Sequence, residues 1–74
     1  MGIAEDRARA LAEDVIAQME ATNDIDLPRE VSKLLAASSQ PTEEAFNAAI
    51  RVLMAEKRAR VFLEERRKNP PAQN

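Results

Sequence analysis

The chain has 74 residues, 13 Asp and Glu against 11 Lys and Arg for a formal net charge of −2, and no Cys, His, Trp or Tyr. With neither thiol nor imidazole there is no disulfide, no Cys/His zinc site and no imidazole acid or base, so neither metal nor cofactor is expected. Phe46 and Phe62 are the only aromatic residues, too few for a surface that stacks bases, and no apolar run approaches the roughly 18 residues that a membrane span needs.

Gly occurs once, at position 2, Ala is abundant, and strand formers never alternate over a useful length. These features predict an all-α domain of three helices over residues 1–69, at a size where a single core is only marginally stabilising. The opening "MGIAEDRARA" turns acidic at once and has no apolar signal-peptide stretch. Met1-Gly2 resembles a myristoylation start, but Asp6 stands where Ser or Thr is needed. A soluble cytoplasmic protein is the expectation.

The first helix is predicted over 3–21. Ala4, Ala8, Leu11, Val15 and Met19 succeed one another by three or four residues, Ala12 and Ile16 widen the stripe, and the charges fall mostly elsewhere. Its Ala-lined first half lets a partner helix approach closely. "TNDIDLPRE" ends it with turn and cap residues, and Pro28 suits a first helical turn. A short second helix follows over 28–37, with Leu27, Val31, Leu34 and Leu35 on one face and Ile25 packed under the turn.

"SSQPTEE" is the second break, with Thr42 preferred over Ser39 as N-cap and Glu43 and Glu44 at the positive helix end. The third helix then runs over 42–68, stopped by Asn69-Pro70-Pro71, and a disordered tail covers 70–74. About 27 residues give about 40 Å of helix, long for a domain whose compact radius of gyration is about 11 Å. Helices one and three are expected to form an antiparallel pair, with the short second helix closing one end.

The third helix reads as two halves. Phe46, Ala49, Ile50, Leu53 and Met54, flanked by Ala45 and Val52, make a core stripe. Continued on the same face, the stripe reaches Lys57, Arg60 or Val61, and Glu64 and turns polar there, while Val61, Phe62 and Leu63 follow one another about 100° apart. Three consecutive apolar residues cannot all face one core, so either one of them sits in water, as a lone exposed Phe ordinarily can, or this end has a second surface to cover, and the second is the expectation. Either the helix packs on its own copy as an isologous homodimer, or it projects as an amphipathic arm into another protein's groove. Val61, Phe62 and Leu63 are the candidate partner-binding residues, with Arg58 and Arg66 at the rim. Glu56 with Arg60 and Glu64 with Lys68 are Glu-first pairs that support the helix.

Other chemistry fits poorly. The basic end of the third helix suggests a nucleic-acid-associated regulator as the alternative, but Glu56, Glu64 and Glu65 interrupt the cations that would meet phosphate. A helix-turn-helix would present Thr42, Glu43, Glu44, Asn47 and Arg51 to the groove, which is the wrong charge. Asp24, Asp26 and Glu30 lack the ligand number and glycine of a calcium loop and read as turn chemistry. An Ala-rich core leaves little room for a pocket that would perturb a carboxylate, and the acidic first helix is unsuited to anionic lipid. Glu5, Asp6, Glu13 and Asp14 form an acidic face, solvated or turned to a basic partner. Small helical chains of this size occur among bacterial and phage regulators, antitoxins and inhibitors, a likeness of size and fold only. The expected function is therefore non-catalytic: a helical interaction protein, adaptor or inhibitor, homodimeric and acting on a protein partner or on itself.

Overall fold

The computed structural model describes residues 2–72, in which the chain forms three helices: α1 (Ile3–Thr22), α2 (Leu27–Ser38) and α3 (Gln40–Lys68). There is no strand among the described residues. The Ala-rich composition and the two turn clusters have the outcome that helix propensity favours.

The ends of each helix have identifiable causes. At the start of α1 the Gly2 N–H donates to the Glu5 carboxylate at 3.1 Å. At its end Asn23 adopts the left-handed conformation, φ 60°, and its N–H donates to the Met19 carbonyl, a termination suited to Asn because its short polar side chain tolerates that region. Helix α3 starts earlier than Thr42. Its N-cap is Ser39, whose Oγ accepts from the Thr42 N–H at 3.3 Å and shares a 2.8 Å hydrogen bond with the Thr42 hydroxyl. Pro41 thus belongs to the first turn, where its missing N–H leaves no bond unmade. Arg66, Arg67 and Lys68 occupy the last turn of α3, where the macrodipole favours cations.

Helices α1 and α3 pair along their apolar faces, but they run in the same direction, not antiparallel. Glu5 and Arg9 lie beside Ala45, Ala48 and Ala49, while Ile16 and Glu20 lie beside Leu53 and Lys57, so both helices ascend together. The reason is connectivity: residues 23–26 reverse the chain once, Ser39 reverses it again, and the third helix regains the heading of the first. An ion pair between Glu20 and Lys57 joins the two helices near the top of α1.

The core is small. Ala8 and Ala12, 1% and 0% exposed, let α3 come close enough to bury Phe46 completely, with Val15 completing the cluster. Leu27, Val31 and Leu35 of α2, with Ile50 and Leu53 of α3, pack around it half-buried. Helix α2 thus covers the half of the α1/α3 pair that holds Phe46 and stays clear of the far end of α3.

Three apolar residues placed in the core by their spacing are outside it. Leu34 is 72% exposed, because Leu27, Val31 and Leu35 already fill the face of α2 that meets its neighbours. Ile25 is 81% exposed, since the Asp24 N–H bonds back to Met19 and the Leu27 N–H to Asp24, closing the turn with its side chain outside. Val52 lies on the outer side of α3, exposed rather than flanking the core.

The radius of gyration is 15.7 Å, with extents of 57 × 30 × 13 Å, well beyond the roughly 11 Å of a compact chain this long. Pro70–Ala72 are exposed and without regular structure; the rest of the expected disordered tail, residues 73 and 74, lies outside the described residues.

Candidate functional site

The extra length is an arm. Every residue from Ala55 to Ala72 is exposed, and the helical part, 55–68, extends about 20 Å at 1.5 Å per residue. Since Glu20 meets Lys57 and α1 stops at Thr22, little of α1 is left to lie beside the arm.

Val61, Phe62 and Leu63 are all on this arm, 60%, 58% and 44% exposed. They point apart, as three successive helical residues must. Phe62 is joined by Arg66, whose guanidinium carbon lies 4.8 Å from the ring centroid, a cation–π geometry that covers part of the ring without removing it from water. Arg58 stands one turn before Phe62 on the same side, also exposed. The arm's straightness has support from Glu56 to Arg60 at 2.9 Å and from Glu64 to Arg67 at 3.0 Å. The second pair uses Arg67 in place of the expected Lys68, three residues on rather than four, which an arginine fork reaches equally well.

Phe62 also belongs to a larger feature. Ala45, Ala48, Val52, Ala55, Ala59 and Phe62 succeed one another by three, four, three, four and three residues, a single seam along α3. Ala45 is half-buried and the other five are exposed. Alanine spacing is the available signal, but alanine serves a core as readily as an interface, and by spacing alone Ala45 and Val52 flank the core stripe.

Where the seam borders α1 the surface is concave. Glu5, Arg9, Ala45, Ala48, Ala49, Val52 and Leu53 line an open cavity of about 270 Å³. A second hollow, about 230 Å³, continues past Leu53 between Glu13, Ile16, Ala17 and Glu20 of α1 and Glu56 and Lys57 of α3. The floor is thus apolar and shallow-sided, and the rim carries mainly carboxylates from α1.

No helix among the described residues is long and apolar enough to cross a membrane. Comparison with protein-family models, curated proteins and solved structures finds no match.

Proposed function

We propose that this protein is a non-catalytic interaction module of the cytoplasm that presents the C-terminal half of α3 to a protein surface, its own or a partner's. The observation that carries the reading is a helix that outruns its own domain while holding Val61, Phe62 and Leu63 open to water. Exposing a Phe and two more large apolar residues around one short length of helix brings no stability to the monomer, and large apolar side chains left open together on an otherwise charged arm are a mark of contact sites. Arg58 and Arg66 flank the ring and would lay their stems at the rim of the contact. A protein partner suits the arm better than nucleic acid. Arg60 and Arg67 are paired with Glu56 and Glu64, which takes both out of a phosphate-binding set.

The test is a photoreactive benzoyl-phenylalanine in place of Leu63, activated in the cells that make the protein. A discrete cross-linked species, with itself or with one other protein, that disappears when Phe62→Asp is added is the expected result. Absence of any discrete species, with the protein folded by circular dichroism, overturns the reading.

A further inference from the structure

The first consideration is area. The described chain exposes 5819 Å², whereas a compact protein of this mass exposes about 4,500 Å². The excess, about 1,300 Å², exceeds the roughly 800 Å² that each partner contributes to a stable interface. The second is charge. Helix α1 carries Glu5, Asp6, Glu13, Asp14 and Glu20 against Arg7 and Arg9, while the arm beyond Glu56 carries Lys57, Arg58, Arg60, Arg66, Arg67 and Lys68 against Glu64 and Glu65. One molecule therefore holds an acidic flank beside an apolar hollow and, at its other end, an apolar ring among cations.

These parts fit each other across two copies. We infer that the chain forms an isologous dimer in which α3 lies antiparallel on α3 of the partner subunit, and Phe62 of each copy fills the Ala-lined cavity of the other. This rests on the reading of the arm as an interaction element. The seam fixes the register. With Val52 opposite the partner's Ala55, Ala48 meets the partner's Ala59 and Ala45 meets the partner's Phe62. The largest side chain of the seam falls on the cavity floor, where Ala45, Ala48 and Ala49 leave room for it. The same register sets the partner's Lys57 opposite Ile50, so the partner's arm runs beside the first half of α1 towards Glu5, and the last turn of that arm passes beyond the start of α1. Its costs are the like-charged neighbours Arg51 with the partner's Arg58 and Glu44 with the partner's Glu65, on the water-screened side away from α1. A parallel pairing would instead lay the two basic arms side by side, stack Arg66 on Arg66, and leave both cavities empty.

The absence of native cysteine makes a direct test simple. The full chain carrying Arg67→Cys is spin-labelled, its mass read by light scattering across concentration, and the label separation read by double electron–electron resonance. A dimer with labels about 40 Å apart is expected, since two antiparallel helices in this register place position 67 at opposite ends. Adding Ala48→Glu, at an exposed helix position that leaves the monomer's circular dichroism unchanged, should lower the dimer population at least tenfold. A monomer at every concentration overturns the dimer but leaves the arm's cross-linking to a different protein as an independent matter. Labels within about 15 Å, as side-by-side parallel helices give, overturn the register. A dimer indifferent to Ala48→Glu overturns the seam.

Discussion

Arg66 holds its guanidinium 4.8 Å from the centre of the Phe62 ring, one helical turn away, on a part of α3 that touches neither α1 nor α2. The two phenylalanines of the chain therefore have opposite roles: Phe46 is wholly buried among Ala8, Ala12 and Val15, while Phe62 is open to solvent. In the monomer, Phe62→Ala should change stability by less than about 1 kcal/mol, the size of an exposed cation–π contact. Phe46→Ala should cost about 3–5 kcal/mol. For a domain of this length, whose total stability is about 4–11 kcal/mol, that loss leaves little folded protein. Urea unfolding followed by circular dichroism, at a dilution where the protein is monomeric, separates the two.

The Ser39 cap gives a second contrast. Ser39→Ala removes the acceptor for the Thr42 N–H and the partner of the Thr42 hydroxyl together, and should cost about 1 kcal/mol. Thr42→Val keeps the backbone bond to Ser39 and should cost less. If chemical denaturation ranks them the other way, Thr42 is the cap.

At the end of α1, Asn23 sits at φ 60°. A Cβ-bearing residue with no polar side chain pays about 1–2 kcal/mol there, so Asn23→Ala should destabilise by about that amount, whereas Asn23→Gly should be neutral or stabilising. Thermal unfolding of the pair gives the sign directly.

The closeness of α1 to α3 depends on having no side chain beyond Cβ at positions 8 and 12. Ala12→Leu should force the helices apart and cost about 1–3 kcal/mol despite its greater apolar area. A stabilised Ala12→Leu protein in urea would mean that the seam between the helices is looser than 0% exposure implies.

How much of this was legible beforehand varies with the kind of signal. The α1 stripe through Ala8, Ala12, Val15 and Ile16 follows from spacing alone, because one helix buries one face. The exposed trio on the arm was legible for the converse reason: three successive residues cannot share a face. Relative direction was not legible in the same way. Whether α3 runs with or against α1 depends on whether α2 returns the chain or merely turns a corner, and apolar periodicity is the same in both cases. Leu34 shows a related limit, since a helix that contacts neighbours on one side can carry more leucine than that side needs. The Ala45–Phe62 seam stayed hidden because alanine carries little hydropathy, although its spacing is as regular as the core's.

Ser39 is the single non-helical residue between α2 and α3, in contrast to residues 23–26 between α1 and α2. A protease needs several residues in extended form to fill its cleft, and no such stretch exists at the Ser39 junction unless a helix end first unwinds. Proteolytic nicking should therefore fall within the 23–26 connection or at the Asn69–Ala72 end, and the α2–α3 unit should survive as one fragment. A helical hairpin joined this tightly behaves as a single inherited piece: insertions can accumulate in the 23–26 connection, while one added residue at position 39 would undo the one-residue junction that holds Val31 and Leu35 against the Phe46 cluster.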